Sequence, residues 1–255
     1  MRAAGDSETI CGVRTMIWQE HAKTLTETLK LPGHIVAITY TFDEVPGAGG
    51  GRCRACTALM KARDGKAVLL TGDNSACPGG TWHLGLGPPP AGEAGRALRN
   101  FLVHGEKLAC SYAAFYRMTA LTTAPPVGVA DRVLFAPLDR TPLEPDLVVF
   151  ITDAERACRL LTLYTYFTGR APHTEMMGSG CHMAVAYPLV SGEINVSFSD
   201  WTARPMMGLK PEELLVSVPY HLLGKLVEAI PRCTAGTAPA RPVADFFPGA
   251  AGEEA

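Results

Sequence analysis

The sequence predicts an α/β fold, a mixed sheet flanked by helices, with an α+β arrangement as the alternative. Three observations carry this. Short runs rich in β-branched and aromatic residues, Ile35–Phe42, Arg132–Ala136 and Leu147–Ile151, are interspersed with longer segments whose apolar residues recur at helical spacing. Glycine and proline punctuate the joins. A chain of 255 residues with 47% hydrophobic content can bury a full core, as one large domain or two small ones.

Taken in order, residues 1–14 read as a flexible N-terminal segment. Thr15–Leu31 reads as a helix with Ile17, Leu25 and Leu29 on its apolar side and Pro32-Gly33 as its stop. Ile35–Phe42 is the first strand, and the glycine-rich stretch Glu44–Arg54 follows as a flexible loop. It lacks the Gly-Lys-Ser/Thr ending of a phosphate-binding loop. Ala55–Lys61 is a short helix closed by Asp64-Gly65, and Ala67–Thr71 a short strand. From Gly72 to Pro90 the prolines remove backbone donors, so this stretch reads as loop. Two helices are expected over 93–104 and 106–121, the second partly buried.

Arg132–Ala136 and Leu147–Ile151 are expected to form a strand pair across a proline-rich connection. Thr152 reads as an N-cap with Glu155 as its capping-box partner, and Gly169 as the C-terminal stop of the helix between them. Cys181–Val190 is helical or turn, Asn195–Ser199 a strand, and Pro211–Glu213 a single helical turn. Leu214–Val218 is the last strand and Tyr220–Ile230 the last helix. Residues 15–233 thus form one domain. Residues 234–255 read as a mobile tail on which Phe246-Phe247 could dock. Cys56–Asn74 and Cys181–Asp200 share a loose succession of cysteine, short helix, glycine, strand and turn. That echo suggests two related halves, about 15–125 and 126–233.

Composition excludes several classes. With 23 basic against 25 acidic side chains, a net charge of -2 and 19% charged residues, the chain is no generally basic nucleic-acid binder. The longest clean apolar runs are about five residues, against the roughly twenty that a membrane helix needs. The first twelve residues contain Arg2, Asp6 and Glu8 and no apolar signal region. A cytoplasmic location is therefore expected, with no nucleic-acid or membrane partner, and a homo-oligomer is an open option.

Eight cysteines in a chain with so large a core are not needed as disulfide staples. Cys53 and Cys56 form a C-x2-C pair flanked by Arg52 and Arg54, and a helix start at Cys56 would favour its thiolate. Cys77 is followed by Pro78, Gly79 and Gly80, glycines that leave room for amide N–H groups to approach a sulfide or a bound anion. Cys181 likewise follows the small residues Gly178, Ser179 and Gly180. Such loop cysteines resemble ligands for a soft metal more than core fillers. Cys110 and Cys158 fall in apolar helical patterns and are expected in the core, while Cys11 and Cys233 lack a constellation.

The spacing leaves the metal open, because neither the bacterial ferredoxin run nor a second C-x2-C is present. If Cys56, Cys77 and Cys181 converge, an iron–sulfur cluster, most simply 4Fe-4S, would have one less-protected iron. Cys53 is then the candidate fourth ligand, and zinc with His83 or His182 is the alternative. His173, Glu175 and the 178–180 loop could wall a pocket. Gly79, Gly80, His83, His182, Asp200 and Arg204 are its further candidates, with turn capping and a surface charge as ordinary roles for Asp200 and Arg204. No serine nucleophile elbow, zinc-protease helix or dinucleotide fingerprint occurs.

The ordered landmarks also carry a resemblance. Cys56 through Gly65, Leu70-Thr71 with Asn74, Cys77 through Gly80 and Leu84-Gly85 form a first group. Val133-Leu134, Ala136 to Leu138, Pro145-Asp146, Gly180-Cys181, Tyr187-Pro188, Gly192, Asn195, Leu209-Lys210 and Val218 to Tyr220 form a second. Over about residues 20–230 the sequence resembles the bacterial and archaeal family called domain of unknown function 169. The resemblance implies recurrent cysteines at Cys56, Cys77 and Cys181. Cys53, His83 and Trp201 are additional to that pattern, and the family name supplies no reaction.

The expected function is an iron–sulfur-binding, redox-associated enzyme or accessory protein, with an open iron for a small polar ligand and a redox partner if the cluster carries electrons. A metal-free cytoplasmic sensor of a small ligand is one alternative. A thiol–disulfide protein using Cys53 and Cys56 is the other.

Overall fold

Two short N-terminal strands, β1 (Thr9–Ile10) and β2 (Val13–Arg14), pair antiparallel at the start of the computed structural model, which describes residues 16–237 and the backbone of these two strands. Cys11, the other residues of the expected flexible N-terminal segment, and Phe246-Phe247 of the expected tail lie outside the described residues. The remaining strands are β3 (Val36–Thr41), β4 (Val68–Thr71), β5 (Arg132–Pro137), β6 (Leu147–Thr152), β7 (Asn195–Ser197) and β8 (Leu214–Pro219). They form one sheet in the order β4-β5-β3-β6-β8-β7. Every ladder in it is antiparallel; parallel pairing is confined to the isolated bridges Gly49↔Val68 and Cys53↔Ser75. The helix-flanked sheet is as expected, although its ladders are not mixed.

The helices are α1 (Ile17–Leu29), α2 (Ala55–Arg63), α3 (Pro78–His83), α4 (Gly92–Asn100), α5 (Tyr112–Ala120), α6 (Ala154–Thr168), α7 (Tyr187–Ser191), α8 (Ala203–Met207) and α9 (Tyr220–Ala229). Two π-helical turns, Phe101–Gly105 and His182–Ala186, lead out of α4 and into α7. Strand alternation sends side chains to opposite faces, and each face has its own core. On one, Ala37, Val148, Phe150, Val216 and Val218 pack under α1, α6 and α9 through Leu25, Leu160, Leu163 and Leu226. On the other, Val36, Ile38, Val133, Phe135 and Val149 pack under α2 through Ala58 and Leu59, with Ala184 and Val185 of the π turn and Met207 of α8. Arg63 at the end of α2 pairs with the buried Glu213 at 3.4 Å, tying this layer to the turn before β8.

Several expectations change. Arg132–Ala136 and Leu147–Ile151 are strands but not neighbours, because β3 lies between them and pairs with both. β3 is buried almost along its length, so it needs partners on both edges. The cap of α6 is Asp153, whose carboxylate accepts the Arg156 N–H at 3.0 Å. Thr152 still belongs to β6, and its buried hydroxyl has no hydrogen-bond partner. Gly169 does end α6, in the left-handed conformation at φ 70°. The turn-rich 72–90 stretch contains α3, started by Pro78 in the first turn. The expected 106–121 helix begins only at Tyr112 and buries Phe115 alone, so it is mostly exposed. Pro211–Glu213 is a turn without helix, and α8 was not foreseen.

The sheet order reads the same from either edge when β3, β5 and β4 are matched with β6, β8 and β7. Each half then has an inner strand, a helical segment leading to the edge strand, and a return strand between edge and centre.

Candidate functional site

Cys56, Cys77 and Cys181 lie over the same face of the sheet. Cys56 is the second residue of α2, Cys77 is the N-cap of α3, and Cys181 immediately precedes the π turn. Cys56 and Cys181 both pack against the apolar cluster that α2 shares with the sheet. A negative charge on the Cys77 sulfur would oppose ionisation of Cys56 and Cys181, and one on Cys56 would oppose that of Cys181. Burial first, then the Cys77 sulfur, raise the Cys56 thiol, while Thr57 and Arg54 pull it down. Burial pushes Cys181 up to about 12, against a lowering by Ser179, and the Cys77 and Cys56 sulfurs add to the rise. Both are therefore neutral thiols at neutral pH, and a bound cation would displace their protons.

Local geometry accounts for Gly180 more than for Gly79 and Gly80. The Gly80 N–H donates to Cys77 Sγ at 3.5 Å. A Cβ at Gly80 would lie 3.6 Å from the Ala55 and Cys77 Cβ atoms, and one at Gly79 4.0 Å from Cys77 Sγ, ordinary contacts that a side chain could make. A Cβ at Gly180 would meet Ser199 Oγ at 3.2 Å, so glycine lets the segment before Cys181 approach the turn after β7 and Met207 of α8 closely. The Cys181 thiol donates to Ser179 Oγ at 3.5 Å. Asn195, fully buried in β7, donates to the Glu175 and Met183 carbonyls and accepts the Glu175 N–H. It thereby pins the 173–180 loop and the π turn to the sheet.

The other expected residues separate from this group. Cys53 is buried and bridges to Ser75; its thiol is raised by burial and lowered by Lys61, without a contribution from the other three. His83 is buried and stacks on Trp82 at 4.8 Å and on His182 at 5.0 Å. Burial, with His182 second, lowers its pKa to about 3. His182 Nε2 accepts the Thr123 N–H at 3.0 Å, which places the proton of the neutral ring on Nδ1. Asp200 accepts the Thr202 and Ala203 N–H groups at the start of α8. Arg204 donates to the carbonyls of Phe198, Lys210 and Pro211. These two thus serve their own turn. Trp201 is 80% exposed. Cys110 and Cys158, expected in the core, are exposed too.

Among the described residues, no group of three His, Cys, Asp or Glu side chains is gathered tightly enough to hold a metal ion. A cleft of about 890 Å³ is bordered by Lys23, Glu27, His34, Arg63, Asp139 and Glu213. A second of about 520 Å³ is bordered by Trp82, Arg96, Arg99 and Tyr116. Neither is lined by the three cysteines or by the 173–183 loop, where a sensor pocket was expected. No described helix is long and apolar enough to cross a membrane.

Sequence reasoning missed Tyr40. It shares the cysteine-bearing face with Val36 and Ile38 by strand alternation and packs on the same cluster as Cys56 and Cys181. Its hydroxyl is buried without a hydrogen-bond partner. A lone phenol in an inner strand otherwise made of aliphatic residues and threonines was the available signal.

A protein from Methanocaldococcus jannaschii, uncharacterized protein MJ0308, is 30% identical over 225 residues, covering 83% of this chain and 93% of that one. No solved structure matches the chain. The model of the domain of unknown function 169 family, described as uncharacterised ArCR, matches residues 24–229. With that match spanning most of the sequence, the chain belongs to the domain of unknown function 169 family.

Proposed function

We propose that this protein carries an iron–sulfur cluster on Cys56, Cys77 and Cys181 and works as a redox-associated enzyme or accessory protein. The observation that carries the reading is that Cys56 near the start of α2, Cys77 at the N-cap of α3 and Cys181 before the π turn come from three separate segments to one region over the sheet.

A bound cluster supplies either electron transfer or, at an iron without a protein ligand, Lewis acidity toward a small polar ligand. The chain's own part is to present the three sulfurs and offer the Gly80 N–H to the Cys77 sulfur. His182 stays fixed in one tautomer by Thr123. Cys53 stands outside the ligand set in this reading, because its neighbours are burial and Lys61. The raised Cys53 and Cys56 thiols also argue against a fast thiol–disulfide pair, whose attacking sulfur needs thiolate character. Free thiols suit a reducing, cytoplasmic setting.

The test is anaerobic purification with an absorption spectrum and iron, sulfide and zinc analysis. Broad absorption near about 400 nm, of the kind such clusters give, with stoichiometric iron and sulfide is expected. Cys56→Ser, Cys77→Ser and Cys181→Ser should each lose iron, and Cys53→Ser should keep it. Zinc without sulfide, or iron retained in all three variants, would overturn the reading.

A further inference from the structure

We infer that the smaller of the two clefts, bordered by α4 and α5, binds a small aromatic anion, a carboxylate or phosphate monoester carried on a flat ring. The inference goes beyond the cluster reading and does not need it. Arg96 and Arg99 both border this cleft, three residues apart on α4 and so on one face of it. No acidic side chain is among its lining residues. Neither arginine is in an ion pair among the described residues. The larger cleft differs. There Arg63 is paired with Asp64 and Glu213, and His34 with Asp139, so its positive groups already have their counter-charges.

Arg99 is held in place without being neutralised. Its Nη1 donates to the Tyr116 hydroxyl at 2.7 Å, and its guanidinium carbon lies 4.6 Å from the centre of the Tyr112 ring. Tyr112 is fixed in turn, its hydroxyl 2.9 Å from both Asn100 Oδ1 and His104 Nε2. Arg99 Nε is shut away from water and has no hydrogen-bond partner. A buried donor left in that state is uncommon in a folded protein and marks a missing acceptor. The planar guanidinium fork matches the paired oxygens of a carboxylate or phosphate.

The rest of the lining selects the body of the ligand. Trp82, Phe115 and Tyr116, with Pro89 and Pro90, give the cleft flat apolar walls that suit an aromatic ring. Thr119 commits its hydroxyl to the Phe115 and Tyr116 carbonyls. With no carboxylate or amide side chain in the lining, little is left to accept from sugar hydroxyls, which disfavours a nucleotide. The volume of about 520 Å³ is in the range of small-molecule sites. Trp82 also stacks on His83, and His83 on His182, which follows Cys181, so the cleft is linked to the cysteine site through two stacked histidines.

The experiment is calorimetric titration of the full chain with naphthoate, naphthyl phosphate, the neutral naphthamide and adenosine monophosphate. Naphthoate or naphthyl phosphate should bind, and the tighter of the two identifies the charged group as carboxylate or phosphate. Naphthamide should bind at least about 10-fold more weakly, since it lacks the charge that a guanidinium recognises. Arg99→Gln should weaken the anion about 10-fold to 100-fold, and Arg96→Gln by a smaller factor. Lys23→Gln, in the larger cleft, should change nothing. Arg96 is exposed, so its variant tests the site even if Arg99→Gln fails to fold. Binding of neither naphthyl anion, equal binding of naphthamide, unchanged affinity in either folded arginine variant, or tighter binding of adenosine monophosphate would each overturn the inference. All four outcomes leave the cluster reading standing, and failure of the protein to hold iron and sulfide would leave this inference standing.

Discussion

Replacing His83 by phenylalanine should make the protein more resistant to acid. His83 is only 8% exposed and sits between two rings, and its pKa falls to about 3 through burial and the neighbouring His182. In the unfolded chain the ring titrates near its ordinary 6.5. Below that pH the unfolded state takes up a proton that the folded state refuses, so stability falls as pH drops from 6.5 toward 3. At 1.36 kcal/mol per decade the full interval is worth on the order of 4–5 kcal/mol, and about 2 kcal/mol is lost by about pH 5. Against a typical stability of about 5–15 kcal/mol that is a large share. His182, also lowered by burial, acts in the same direction. Phenylalanine keeps an aromatic surface between Trp82 and His182 and removes a buried Nδ1 that has no hydrogen-bond partner. Urea unfolding of both proteins at about pH 7.5 and about pH 5 measures the difference. Wild type should lose about 2 kcal/mol more than the variant; parallel losses would refute the argument.

Two further outcomes follow from packing and capping. Asp153→Ala should cost about 1 kcal/mol by removing the cap of α6, whereas Thr152→Val should be neutral or stabilising because the Thr152 hydroxyl is buried without a partner; thermal unfolding of both variants checks the pair. Asn195→Ala should cost about 2–4 kcal/mol, since it leaves the Met183 and Glu175 groups short of buried hydrogen bonds, and proteolysis should then open the chain within 173–180 before the sheet unfolds.

Where sequence reading succeeded, the signals were local. α1, α6 and α9 follow from apolar spacing and stops such as Gly169, and the inner strands from their β-branched runs. Where it failed, the deciding interaction was distant or weakly encoded. Nothing near Arg132–Ala136 or Leu147–Ile151 announces that β3 separates them, because strand adjacency is settled by which runs must be buried on both edges. α3 hid in a Pro–Gly-rich stretch, although Pro78 in a first turn with a polarizable N-cap before it is a helix-start signal. The candidate site divides the same way. Small residues beside Cys77 and Cys181 pointed to close backbone approach, which the Gly180 contact with Ser199 realises and the looser Gly79 and Gly80 contacts do not. Asp200 and Arg204 looked equally polar in the sequence, yet they satisfy their own turn, and only the fold reveals the burial of His83 and Tyr40.

On the proposed reading, the matched strand order of the sheet bears on why the thiols number three. Cys56 opens the helical segment that passes through Gly65 into β4, and Cys181 opens the one that passes through Gly192 into β7. Beyond the edge strands the correspondence continues: Asn74 and Asp200 each follow the last strand residue, Thr71 or Ser197, by three positions. Cys77 follows Thr71 by six, and the residue six beyond Ser197 is Ala203, whose N–H donates to Asp200. The first half thus has cysteines at both of these positions and the second has one. On the proposed reading this asymmetry distinguishes an electron carrier from a site for chemistry, because four thiolates would close a cluster, whereas a missing fourth leaves one iron to an exchangeable ligand.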